Sequence, residues 1–180
     1  MNETIRLKDK DFSLYIPEQE IVAAIAKMAK EIAYDMEGKN PLFIGILTGA
    51  YMFAAELLCK ISPACEILFA AYRSYSGTQS KGFVQELLPV QSNVQGRSVI
   101  ILEDVIDTGL TMQYVIKKLK ESGAQDVRLA TMLFKPNSLK CDMKPDYVGL
   151  EIDDEFVVGF GLDYDGLGRT SRDIYKIINY

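Results

Sequence analysis

The 180-residue chain contains no histidine, which removes imidazole from every role as base, nucleophile or metal ligand and excludes a Ser-His-Asp triad. Its three cysteines, Cys59, Cys65 and Cys141, cannot make the four-ligand Cys/His set of a structural zinc site, and none stands in a Cys-x-x-Cys pair. They read as small buried hydrophobes of a protein in a reducing, cytoplasmic setting. No apolar run approaches the roughly 18 residues of a membrane span, and the polar residues 1–12 offer no signal-peptide core, so no membrane partner is expected. Basic residues are outnumbered, 20 Lys and Arg against 25 Asp and Glu, and the net charge of −5 argues against nucleic acid as a partner. There is no repeat, low-complexity tract or Pro- and Ser-rich linker, and residues 1–180 read as a single domain.

What is present alternates. Ile21, Ile25, Met28, Ile32 and Met36 recur at helical spacing behind Pro17, which suits a first helical turn, and Gly38 offers a stop. The unbroken apolar run LFIGILT at 42–48 predicts a strand, followed by Gly49 and a short helical pattern through Leu57. CEILFAAY at 65–72 predicts a second buried strand, whereas RSYSGTQSKG at 73–82 is too rich in Ser and Gly for a regular element and predicts a mobile loop. SVIIL at 98–102 predicts a third strand, leading through an acidic turn into a helix that starts near Thr111 and ends at Gly123. DVRLATMLF at 126–134 predicts a further strand. Unbroken apolar strands alternating with helices imply an α/β fold, with a central parallel sheet flanked by helices on both faces and its sites at the carboxyl ends of the strands. One acidic stretch, residues 146–165, holds no Lys or Arg; it reads either as a solvated face or as the answer to a cation.

The segment with most chemistry is Glu103-Asp104-Val105-Ile106-Asp107-Thr108-Gly109-Leu110-Thr111, between the third strand and its helix. Two adjacent carboxylates at a strand end point to opposite sides, so one can face a ligand's hydroxyls or a divalent cation while the other is held by backbone. The Asp-Thr-Gly-Leu-Thr turn supplies successive backbone N–H groups, two hydroxyls and a helix N-terminus, the elements of a phosphate cradle. Gly109 lets the backbone approach the phosphate closely.

Four apolar residues, two acidic ones and Asp-Thr-Gly-x-Thr resemble the phosphoribosyl pyrophosphate motif of the type I phosphoribosyltransferases. Leu47-Thr48-Gly49-Ala50, Ser74-Tyr75, Phe134-Lys135-Pro136 and the segment at 144–165 together resemble the hypoxanthine-guanine branch, over residues 42–169. The resemblance implies the type I phosphoribosyltransferase fold, with a small hood built from the chain ends, and an enzyme of purine salvage. A 6-oxopurine base displaces pyrophosphate from phosphoribosyl pyrophosphate, with Mg2+ as cofactor.

By the same resemblance, Glu103 and Asp104 hold the ribose hydroxyls, directly or through hydrated Mg2+, and Asp107 is the general base on purine N7, a role that partial burial would favour. Asp107, Thr108, Gly109, Leu110 and Thr111 cradle the 5′-phosphate, while Thr48 and Gly49 belong to the pyrophosphate loop, in which the family has a non-proline cis peptide, here between Leu47 and Thr48. Lys135 donates to the exocyclic O6, Phe156 stacks on the base and Val157 presents its backbone to the ring edge. A lysine only donates, which favours hypoxanthine, guanine or xanthine over adenine. Asp163 matches a Mg2+ ligand beside the purine and pyrophosphate, and Arg169 the pyrophosphate arginine, with Arg172 as its rival. Ser74 and Tyr75 lie in the loop that closes over the site, helped by Gly77 and Gly82. Thr48 departs from the lysine of many relatives, and TSRDIYKI after Arg169 lacks their Leu-Pro. The family forms homodimers or homotetramers.

Three other readings are weaker. An aspartic protease needs a second Asp-Thr-Gly or an all-β subunit. A nucleotide-sensing regulator that binds RNA or DNA on this fold needs a basic surface. A transferase acting on adenine or a pyrimidine conflicts with Lys135.

Overall fold

The structure, a computed structural model, describes residues 3–62, 64–75 and 83–178. A hairpin of β1 (Thr4–Leu7) and β2 (Lys10–Ile16) leads into α1 (Glu18–Asp35), β3 (Leu42–Leu47), α2 (Tyr51–Ile61) and β4 (Glu66–Tyr75). After β5 (Phe83–Leu88) come β6 (Ser98–Ile106), α3 (Leu110–Glu121), β7 (Asp126–Phe134), β8 (Tyr147–Glu151), β9 (Val157–Val158) and β10 (Ile174–Ile177). The six-stranded main sheet has the order β5-β4-β3-β6-β7-β8, parallel except for the returning edge strand β5. A second, four-stranded antiparallel sheet, β1-β2-β10-β9, is the hood, and it joins the two ends of the chain.

The apolar runs become strands covered on both sides. Ile21, Ile25, Met28 and Ile32 of α1 pack with Phe53 and Leu57 of α2 over Phe43, Ile100 and Leu133. Met112, Val115 and Leu119 of α3 cover Ile44, Ile101 and Leu129 on the opposite face. Helix α1 has no cap from its own N-cap residue, Pro17; its first N–H, of Glu18, donates instead to Asp173 Oδ1 at 2.7 Å. A cap contributes about 1 kcal/mol, less than the roughly 1.5–3 kcal/mol from burying each large apolar side chain, so packing decides where this helix forms.

Several boundaries differ from the sequence reading. Strand β6 does not end at Leu102 but runs to Ile106, because its register with β7 continues through Glu103↔Thr131, Val105↔Leu133 and Ile106↔Phe134. Glu103 and Asp104 therefore sit inside the strand rather than in a turn. Arg73, Ser74 and Tyr75 are not loop: their backbones extend β4 against Gln85, Val84 and Phe83 of β5, and antiparallel pairing overrides the weak strand preference of serine. The closing loop at 76–82, with Gly77 and Gly82, lies outside the described residues. Pro17 is the extended residue before α1 rather than part of its first turn, α2 continues past Leu57 to Ile61, and α3 starts at Leu110. Cys59 is exposed, Cys65 and Cys141 are half-buried, and all three thiols are free, so none is the buried hydrophobe expected. The hood strands, β5 and β8 were not legible as periodic patterns.

Candidate functional site

At the carboxyl ends of β3 and β6 the main sheet opens into a cavity of about 440 Å3. Its floor is Glu103, Asp104, Asp107, Thr108, Gly109 and Thr111; Leu47 and Gly49 close one side, and Asp163 and Arg169 reach in from the segment between β9 and β10. Thr48 and Leu110, next to lining residues in sequence, are exposed and outside that lining.

The turn from β6 to α3 is shaped by Gly109, which has φ +76° and immediately precedes the helix. A Cβ there would come within 2.9 Å of Cys141 Sγ, Leu139 Cδ2 and Met143 Cε, so the turn is held flat against the segment behind it. Lys140 N–H also donates to Thr108 O at 3.0 Å. The first intrahelical bond runs from Gln113 N–H to Gly109 O, so the preceding N–H groups of the first turn have no intrahelical acceptor and suit an anion. With the Thr108 and Thr111 side chains beside them, they form a cradle for a phosphate.

The two strand carboxylates are held differently. Asp104 Oδ1 accepts the Val105 N–H at 2.8 Å, and its other oxygen lies against Gly49, where a Cβ would overlap it. Glu103 Oε2 is sealed from solvent and has no hydrogen-bond partner. Burial, and then the Asp104 carboxylate beside it, push the Glu103 pKa well above the ordinary 4.5 of a glutamate. The native state thus keeps a proton that the unfolded chain has lost, and stability falls as pH rises from about 4.5 through the folded value. Glu103→Gln removes this cost. Its melting temperature is expected to match the parent near pH 4.5 and to exceed it by a few degrees at pH 8, as read by thermal denaturation at the two pH values. An equal shift at both would contradict the burial of the charge.

Arg169 crosses to the cavity on three contacts. Its guanidinium pairs with Asp163 Oδ1 and donates to Gly161 O at 2.6 Å, and its own carbonyl accepts from Tyr51 Oη at 3.2 Å. Asp163 Oδ2 accepts the Gly166 N–H at 2.7 Å. Gly161 in turn lies on Gly49 O, so the hood segment touches the turn after β3. The peptide between Leu47 and Thr48 is cis. Arg172 faces outward and pairs with Glu18.

Lys135, at the end of β7, is buried along its stem and places its ammonium 3.8 Å from Asp107 Oδ2 and 3.5 Å from Asp154 Oδ1. Asp107 is half exposed, less enclosed than a buried base would be. Phe156 is 37% exposed and meets Phe12 and Tyr164 at ring-centroid distances of 6.4 and 6.0 Å; Val157 is buried in β9. Lys135, Phe156 and Val157 are not in the cavity's lining; Lys135 reaches it through Asp107. Four of the seven acids in the acidic stretch are answered by basic residues outside it: Asp154 by Lys135, Glu155 by Lys176, Asp163 by Arg169 and Asp165 by Lys8. Sequence reasoning missed Tyr51, Tyr72 and Gly161. Only the proximity of Gly161 to Asp163 in the chain pointed toward it.

The donor set suits Mg2+. Among the described residues no three carboxylate, Cys or His groups cluster into a cage, but Mg2+ takes only one or two protein carboxylates and keeps its waters and substrate oxygens. The orphaned Glu103 Oε2 beside Asp104, with Asp163 at the opposite wall, fits such an ion.

Comparison with known families matches the phosphoribosyl transferase domain to residues 15–165. Among curated proteins, the hypoxanthine-guanine phosphoribosyltransferase of Lactococcus lactis is 43% identical over 151 residues, covering 83% of this chain and 82% of that protein. That of Streptococcus agalactiae is 43% identical over 148 residues, covering 82% of each. Among solved structures, a hypoxanthine phosphoribosyltransferase from Staphylococcus aureus superposes with a TM-score of 0.87 at 34% identity, covering 92% of this chain and 90% of that one.

Proposed function

The chain belongs to the phosphoribosyltransferase family, and from that premise we infer that it is a purine-salvage enzyme, a hypoxanthine phosphoribosyltransferase that transfers the 5-phosphoribosyl group from phosphoribosyl pyrophosphate to hypoxanthine and guanine, releasing pyrophosphate. The observation that carries the base assignment is the 3.8 Å approach of Asp107 and Lys135 beside the phosphate turn. One group only accepts a proton and the other only donates, which matches the N7–H and O6 edge of a 6-oxopurine and mismatches the amino group of adenine.

In this reading the 5′-phosphate sits on the turn from Asp107 to Thr111, held by backbone N–H groups and by the hydroxyls of Thr108 and Thr111. Glu103 and Asp104 take the ribose hydroxyls. Gly49 admits the pyrophosphate closely, with Thr48 beside it, and Arg169 supplies its positive charge. Lys135 fixes O6, Phe156 offers its exposed ring face to the base, and the Val157 backbone meets the ring edge. As the purine nitrogen bonds to C1′ and the C1′–oxygen bond to pyrophosphate breaks, the N7 proton passes to Asp107. Mg2+ would be held by the Glu103 and Asp104 pair through its own waters, with Asp163 on the pyrophosphate side, and when bound it would neutralise pyrophosphate charge and ease its departure. Ser74 and Tyr75 begin the arm of a segment that excludes water from the developing oxocarbenium centre. The chain works as a single domain, in the cytoplasm, as a homodimer or homotetramer.

An absorbance assay with phosphoribosyl pyrophosphate and Mg2+, offering hypoxanthine, guanine, xanthine, adenine and uracil separately, tests the reading. Turnover is expected with 6-oxopurines alone. Turnover of adenine at a comparable rate would overturn the role of Lys135, and no turnover by folded protein that still binds phosphoribosyl pyrophosphate would overturn the enzyme.

A further inference from the structure

We propose that Asp154, in the turn between β8 and β9, is a positioning residue that holds the Lys135 ammonium off the general base Asp107 and so keeps both groups available to the incoming purine. The inference rests on the reading of Lys135 and Asp107 given above.

The Lys135 side chain is only 10% exposed, and an enclosed ammonium requires a counter-charge. It has two, at 3.5 and 3.8 Å, both longer than the about 2.7–2.9 Å of a committed charge-assisted hydrogen bond. The ammonium therefore lies between two carboxylates instead of closing on either. Backbone bonds hold the three segments that carry these groups together. Lys135 N–H donates to Ile106 O at 2.9 Å, tying the lysine to the residue before Asp107. Ile152 N–H donates to Phe134 O at 2.8 Å, tying the Asp154 turn to the residue before Lys135.

The chemistry requires such a balance. A 6-oxopurine brings a neutral acceptor to Lys135 and a proton to Asp107, so the base can bind only if the two side chains do not satisfy one another. With Asp107 as the sole partner, the ammonium would settle into a direct ion pair, which each incoming base would have to break. Asp154 is 72% exposed and supplies the competing charge without entering the cavity's lining. It also remains as a counter-ion once Asp107 has taken the proton.

The test is steady-state kinetics of Asp154→Asn, Asp154→Glu, Lys135→Ala and the Lys135→Ala/Asp154→Asn double variant. Asp154→Asn is expected to raise KM for hypoxanthine about 2- to 5-fold, the range open to a largely exposed ion pair, while KM for phosphoribosyl pyrophosphate and the melting temperature stay near the parent. Asp154→Glu should restore most of the loss, and Asp154→Asn should change nothing further in the Lys135→Ala background. An unchanged hypoxanthine KM in Asp154→Asn, with a raised one in Lys135→Ala, overturns the positioning role alone. An unchanged KM in Lys135→Ala overturns the O6 assignment itself. Equal rises in both substrates' KM would mean general loosening and also reject the proposal.

Discussion

Asp107→Asn is expected to lower kcat by about 10^2- to 10^4-fold while changing KM for either substrate little. The substitution preserves shape and removes only the ability to take a proton. Because Asp107 is half exposed in the turn after β6 and not part of the core, the loss should come with an unaltered melting temperature. Lys135 and the phosphate cradle remain, so binding should survive. Single-turnover and steady-state rates with hypoxanthine check this, and an unchanged kcat would remove Asp107 as the base.

Gly49→Ala should be nearly as damaging, for a reason of space rather than charge. Its Cβ would overlap the Asp104 carboxylate, and Gly49 O is itself covered by Gly161. The added methyl must push either the turn after β3 or the Asp104 side chain away from the cavity. Displacements of about 1 Å at a reacting centre commonly cost about 10^2-fold in rate, and that loss is expected in kcat/KM for phosphoribosyl pyrophosphate. The affinity for that substrate, measured by calorimetry, should fall as well. An alanine variant with parental kinetics would show that the turn is less tightly seated than the geometry requires.

Much of this site was legible in the chain because its residues are contiguous. The block from Glu103 to Thr111 lies in one strand, one turn and one helix start, so its motif could be recognised as a unit although the strand was read four residues short. Leu42–Leu47 is contiguous as well, and its unbroken apolar run marks a central parallel strand. What was illegible depends on partners far along the chain. Ser74 and Tyr75 become strand only because β5 pairs with them. Lys10–Ile16 finds its neighbour in Ile174–Ile177, and neither stretch signals the other. Asp154 looked like one acid in an acidic run until the fold brought Lys135 to it. Local patterns specify elements, and only topology specifies which side chains meet.

The hood has a consequence for how the protein opens. Its strands close a loop of some 160 residues, with Tyr175 Oη donating to Glu3 at 2.9 Å and Ile178 N–H to Asp11 O at 2.9 Å, around a small apolar cluster of Phe12, Val158, Tyr175 and Ile177. The main sheet has two larger clusters, the first of which also takes in Ile16, Val157 and Ile174 from the hood strands, and shorter-range pairings. Amide hydrogen exchange should therefore divide the molecule into two cooperative units, the hood exchanging through cheaper local opening and the sheet through global unfolding. Since the phosphate turn, Asp107 and Lys135 belong to the sheet, and Phe156, Val157, Asp163 and Arg169 to the hood and the segment between its strands, local opening of the hood should release the stacking ring and the Arg169 wall while the phosphate turn and the purine-edge pair persist.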